Sequence, residues 1–129
     1  MTDPERSLLL FDDVFAICRL DRDAPVPEWA TKGHFFSVTR TPDELSVVCP
    51  QTSVPRTNDC ETGWRCLKIE SPFELNLSGT ISSIAAPVAE ADIDVFVVAT
   101  HDSDYLMVRE RNLERTISML SERGYRVEL

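Results

Sequence analysis

Three segments decide the fold: Trp64-Arg65-Cys66-Leu67-Lys68-Ile69-Glu70, then Ile81-Ser82-Ser83-Ile84-Ala85-Ala86-Pro87-Val88, then Asp94-Val95-Phe96-Val97-Val98-Ala99-Thr100. The first and last are short, apolar and rich in β-branched residues, which predicts strands. In the middle segment Ile81, Ile84, Ala85 and Val88 fall on one face at the helical period, which predicts a helix from near Gly79 or Thr80 to about Ala91. Pro87 removes one helical hydrogen bond and predicts a bend there. The unbroken apolar character of Asp94 to Thr100 predicts a central strand covered on both faces. Downstream, the turn-formers His101-Asp102-Ser103-Asp104 lead into a strand over Tyr105 to Arg109. A second helix is expected from about Glu110 to Arg123, with Leu113, Ile117 and Leu120 as its stripe and Gly124 as its left-handed C-terminal residue. Tyr125 to Leu129 closes the series as a strand. The order β-α-β-β-α-β builds an antiparallel sheet with two helices on one face, an α+β fold of the ferredoxin-like type.

Upstream the signal is strand-like without helices. Asp13 to Leu20, His34 to Thr39 and Leu45 to Cys49 read as strands, with Thr41-Pro42-Asp43-Glu44 as the turn of a hairpin. Pro27-Glu28-Trp29-Ala30 suits a single helical turn. Pro50 to Gly63 is polar, carries two prolines and lacks periodicity, so it reads as a linker or a long loop. The expected division is therefore a reduced first unit over 1–62 and a complete one over 63–129.

Composition narrows the function. The 129 residues carry 13 Lys and Arg against 22 Asp and Glu, a net charge of −9. Nucleic acid and anionic membrane surfaces repel such a chain. No apolar run approaches the roughly 20 residues of a spanning helix. The acidic start Met1-Thr2-Asp3-Pro4-Glu5-Arg6 is unlike a secretory leader. Cys18, Cys49, Cys60 and Cys66 have no zinc-site spacing, and only His34 and His101 could join them. The expectation is a cytoplasmic protein with reduced thiols, no metal and no cofactor. Cys60, in the linker, is the candidate if any thiol is reactive.

Pro27-Glu28-Trp29-Ala30, Gly33 and the run Phe35 to Pro50 resemble a family of small bacterial ACT-domain proteins. Gly63-Trp64-Arg65, Leu77-Ser78-Gly79-Thr80-Ile81, Ala85 to Ile93 and Ala99 to Tyr105 extend the resemblance over roughly Asp13 to Val127. It is also similar to the architecture of the CASTOR-type arginine sensors. The resemblance implies two tandem ACT-like units and the sensing of a small ligand, typically an amino acid.

Three places could hold such a ligand. The turn Leu75 to Gly79 leads into a helix start, where free N–H groups and a partial positive charge suit a carboxylate around Ser78, Gly79, Thr80 and Ile81. The same residues also fit an ordinary capped turn with Ser78 as the cap. The hairpin Thr100-His101-Asp102-Ser103-Asp104 could hold an ammonium or guanidinium group, or could be a plain β-turn. By resemblance to the CASTOR-type sensors, Asp104 is the ligand contact, while Ser82 stands where a guanidinium site would carry an acidic residue one turn into the helix. Ser53-Val54-Pro55 could close over a ligand at the seam between units, or form a stiffened loop without contact.

Catalysis is poorly provided for. A nucleophile needs a base that a third group holds, and His101 with Asp102 would point to opposite faces of a continuing strand. The sequence therefore predicts a non-catalytic amino-acid-binding regulatory module. The alternative is a ligand-free interaction subunit that pairs with itself or with a metabolic enzyme. In either case exposed sheet edges predict a homodimer.

Overall fold

The computed structural model describes residues 7–56, 59–70 and 77–129, with side chains given for all of these except 77–83. The strands are β1 (Ser7–Leu20), β2 (Ser37–Arg40), β3 (Leu45–Pro50), β4 (Cys60–Glu70), β5 (Val95–Ala99), β6 (Asp104–Arg109) and β7 (Arg126–Glu128). The α-helices are α1 (Leu77–Glu90) and α2 (Leu113–Glu122). From β4 onward the order is β-α-β-β-α-β, as the periodicity requires. The chain forms two compact units, one of residues up to Asp12 together with Arg65–Leu129, the other of Asp13–Trp64. The boundaries fall inside β1 and β4, and the first residues of β1 go with the larger unit rather than with the half they begin.

In the larger unit the strand order is β1-β4-β6-β5, and β7 pairs with β1. That last pairing is parallel, with Ser7 opposite Arg126 and Leu9 opposite Glu128. The sequence expectation started β1 only at Asp13; the strand starts at Ser7, because Leu8 packs in the same core as β4 and the helices. That core joins Leu8, Leu67, Ile69, Ile84, Leu106, Leu120 and Tyr125. A second cluster joins Val88, Ile93 and Val108. Ile84 and Val88 lie one turn apart on α1, so one helix face feeds both clusters.

The helix ends follow local rules. Pro87 lies inside α1, which continues past it to Glu90. Ile93 N–H donates to the Val88 carbonyl and Asp92 takes φ +65°, so the chain reverses into β5 through a left-handed residue that Asp tolerates better than most. At the end of α2, Gly124 has φ +91° and Tyr125 N–H donates to the Leu120 carbonyl. The expected stripe of α2 missed Thr116, which is fully buried because its hydroxyl donates back to the Asn112 carbonyl at 2.8 Å.

β5 corrects the expectation of a central strand. It ends the strand order beside β6, and Val97 is 40% exposed. An unbroken apolar run reads alike in a central strand and in one that ends the strand order.

The smaller unit has the order β2-β3-β1-β4. β1 and β3 are antiparallel, from Phe15 opposite Pro50 to Leu20 opposite Leu45. β2 and β3 form the expected hairpin, and Thr41 closes its turn by accepting from Asp43 and Glu44 N–H groups at 3.1 Å each. The helical turn predicted at Pro27 is a 3-10 turn over Glu28–Thr31. Gly33 follows with φ +94°, and a Cβ there would meet Pro50 Cγ at 2.9 Å, so only glycine fits. The cluster of buried residues joins Ala16, Cys18, Ala30, Val47 and Cys49.

Two further expectations fail here. The linker Pro50 to Gly63 is structured at both ends: a 3-10 turn spans Gln51–Ser53, and β4 begins at Cys60. The four thiols are not all reduced, since Cys18 and Cys60 form a disulfide across 42 residues of sequence. Pairing of β1 with β4 brings these two cysteines together, and no local spacing announces it. Cys49 and Cys66 are free and buried. Burial pushes the Cys49 thiol up from its ordinary value and the Cys66 thiol up to about 12.

Candidate functional site

The expected site residues divide between the units. Ser78, Gly79, Thr80 and Ile81 form the first turn of α1 in the larger unit, and Thr100, His101, Ser103 and Asp104 form its β5–β6 turn. Ser53 and Val54 belong to the smaller unit, in and just after the 3-10 turn Gln51–Ser53. The Leu75–Asn76 part of the expected turn and the side chains of Ser78, Thr80 and Ile81 lie outside the described residues. Helix α1 starts at Leu77, so Ser78 lies within its first turn rather than before it as the expected cap.

Topology joins α1 to the β5–β6 turn through β5 in the larger unit. The C-terminus of α1 turns directly into β5 through the Ile93 to Val88 hydrogen bond. The helix is roughly 21 Å long at 1.5 Å per residue, and β5 roughly 17 Å at 3.4 Å per residue. The two lengths are comparable, and β5 ends where Ala99 pairs with Asp104. The first four N–H groups of the helix have no partner within it and carry the positive end of its dipole. No acidic residue lies in that first turn to neutralise it.

Asp104 opens β6 on the helix-covered side. Side chains alternate along a strand, so Asp104 shares its face with Leu106 and Val108, which pack against α1 and α2. It is 7% exposed. A carboxylate this far withdrawn from solvent is costly unless water or a partner reaches it. Its backbone sits at the mouth of a tight turn. Thr100 N–H donates to the Ser103 carbonyl at 2.8 Å, and Ser103 N–H donates to Thr100 Oγ1 at 3.1 Å. The Thr100 hydroxyl also donates to the Ser103 carbonyl, so it is engaged within the turn.

His101 and Asp102 do meet, contrary to the expectation that they diverge. Their side chains approach to 2.7 Å at the tip of the turn, because β5 stops at Ala99. Both are almost fully exposed, at 99% and 88%, so water surrounds the pair. Among the described residues no group of three or more His, Cys, Asp or Glu could hold a metal ion. No described helix is long and apolar enough to cross a membrane.

The smaller unit has a surface cleft of about 460 Å³, lined by Gln51, Thr52, Val54, Pro55, Arg56, Cys60 and Thr62. Val54 is thus the member of the expected linker pair that faces it. The sequence reading missed Gln51, Thr52 and Arg56. Only the position of β4, fixed by a pairing distant in sequence, brings Cys60 and Thr62 opposite them.

Comparison with known proteins bears on the family and the fold. A family model described as an ACT domain matches residues 59–122. A second, described as an N-terminal domain, matches residues 13–57. A protein of Agrobacterium tumefaciens, known from a crystal structure, is 36% identical, with a TM-score of 0.90 over 97% of this chain and 93% of that one. Among curated relatives, the putative protein CASTOR3P of Homo sapiens is 24% identical over 70% of this chain and 64% of its own length. Subunit 1 of the cytosolic arginine sensor for mTORC1 of Bos taurus is 26% identical over 67% of this chain. The chain spans 30% of that sensor's length.

Proposed function

This chain belongs to the ACT-domain family, and we propose that it is a non-catalytic regulatory module that binds an amino acid or a similar small zwitterion. The ligand carboxylate would accept from the first-turn N–H groups at Ser78 to Ile81, and its cationic group would pair with Asp104. One observation carries the reading: Asp104 is 7% exposed and opens β6 just after the turn that follows β5, the strand into which α1 leads. A helix N-terminus and a nearby carboxylate are complementary to the two ends of a zwitterion. Ser82, neutral and one turn into the helix, favours a ligand with a single cationic group over a guanidinium held from two sides. We read the smaller unit as a reduced ACT-like unit in tandem with the larger one. We place the protein in the cytoplasm, in keeping with the curated sensor relatives, whose name describes them as cytosolic.

A thermal-shift screen against the twenty amino acids tests this. A ligand bound only by the native state, at 100 times its Kd, stabilises by about 2.7 kcal/mol. One or a few amino acids should raise the Tm, and Asp104→Asn should weaken that binding. If none binds at millimolar concentration, the reading is wrong.

A second reading has its own support. β5 ends the strand order, and its five residues Val95 to Ala99 carry no charge or proline to blunt an edge. This favours an interaction subunit that self-associates, with a homodimer as the simplest closed form. A dimeric mass by light scattering together with a silent ligand screen would select it.

A further inference from the structure

The Cys18–Cys60 disulfide presents two unequal sulfurs. Cys18 is 1% exposed, enclosed in the cluster with Ala16, Ala30, Val47 and Cys49. Cys60 is half-buried and lines the 460 Å³ cleft of the smaller unit, so solvent reaches this bond from one side. The polar groups of that cleft are mostly donors. Gln51 Oε1 already accepts from Gly63 N–H at 2.9 Å, which leaves its amide NH2 to donate. Thr52 and Thr62 supply hydroxyls, and Arg56 a guanidinium that has no ion pair among the described residues. The remaining thiols, Cys49 and Cys66, are buried, and burial pushes both thiols up, so they stay protonated and are poor competitors to an outside thiolate.

We propose that Cys60 is a thiol-exchange site, open to a small carboxylate-bearing thiol that Arg56 draws into the cleft. The incoming thiolate donates its electron pair to Cys60 Sγ from the cleft side. The S–S bond breaks, its electron pair leaves on Cys18 Sγ, and that sulfur takes a proton from water. The product is a mixed disulfide on Cys60 and a free Cys18 thiol. A second equivalent of the small thiol attacks the mixed disulfide, forms the symmetric small-molecule disulfide and releases Cys60. The sum is two electrons passed from two thiols to the protein disulfide. This site lies in the smaller unit and does not depend on the amino-acid reading of the larger one.

The test uses the full oxidised chain with two probes, glutathione, which is anionic, and 2-mercaptoethanol, which is neutral, compared at equal thiolate concentration. Acid quenching and peptide mass mapping locate the mixed disulfide, and maleimide labelling follows release of the thiols. The glutathionyl group should appear on the Cys60 peptide. Arg56→Gln, an exposed substitution, should slow the glutathione reaction several-fold and leave the 2-mercaptoethanol rate unchanged. A glutathionyl group on Cys18, labelling of Cys18 and Cys60 without any reductant, or equal slowing of both probes by Arg56→Gln would each overturn the proposal.

Discussion

The larger unit buries Leu8, Leu67, Ile69, Ile84, Leu106, Leu120 and Tyr125 in one cluster, whereas the cluster of the smaller unit is Ala16, Cys18, Ala30, Val47 and Cys49. Two α-helices deliver long aliphatic side chains to the first. The second is served only by 3-10 turns and loops, with Phe15 against Phe35 as its one described aromatic pair. Each apolar side chain of Leu or Ile size contributes roughly 1.5–3 kcal/mol on burial; the smaller unit gains such burial from Phe15 and Leu45, outside that cluster of small residues. The disulfide lies in the smaller unit, and the larger unit has none among its described residues. The lesson is that one family of strands can be held by helices in one place and by a covalent staple in another.

Breaking the staple is the largest test of that contrast. A crosslink closing a loop of this length removes about 4 kcal/mol of chain entropy from the unfolded state by the loop-closure relation. Cys18→Ser with Cys60→Ser should therefore destabilise by about 4 kcal/mol, and hydrogen exchange should show the loss in Asp13–Trp64 while the core amides of α1, α2 and β6 keep their protection. Equal loss in both units would erase the distinction. Next in size, Leu67→Ala opens a cavity in the larger core and should cost about 3 kcal/mol in denaturant unfolding. Val47→Ala, in the smaller cluster, removes less and should cost about 1–2 kcal/mol.

Third, Asp104→Asn keeps shape and removes charge. For whichever amino acid the screen identifies, calorimetry should show binding weakened by about 2 kcal/mol, the range for a hydrogen bond to a charged group. The Tm of the free protein should change little, because Asn keeps the shape of the side chain and an acceptor oxygen. Smallest is a pH effect in the larger unit. Cys66 is held neutral by burial, with its thiol pushed up from 9.0 to about 12. Between those values the unfolded chain releases this proton and the folded chain keeps it, so stability falls as pH rises. At pH 10 the loss should be about 1.4 kcal/mol relative to pH 8, and Cys66→Ala should flatten that slope.

What the sequence made legible was local. The 3.6-residue spacing of Ile84 and Val88, the Gly124 stop and the Thr41 turn each act over a few residues, and each appears where the pattern puts it. What it hid was long-range pairing. The start of β1 at Ser7, its parallel partner β7 and the Cys18–Cys60 bond all join residues far apart in the chain. The edge position of β5 was hidden because apolar residues in a strand that ends the order look like those in a sheet centre. Of the candidate site, Asp104 and the helix start were visible as residue types beside a turn. The burial of Asp104 was not, since it depends on the helices that cover its face.

The measurement that tests the central claim most directly is hydrogen exchange by mass spectrometry on the full chain, with and without the amino acid that raises its Tm. Protection concentrated at 77–81 and 99–104, and absent in Asp104→Asn at the same ligand concentration, is the predicted result. Ligand-dependent protection that leaves both of those segments unchanged would contradict it.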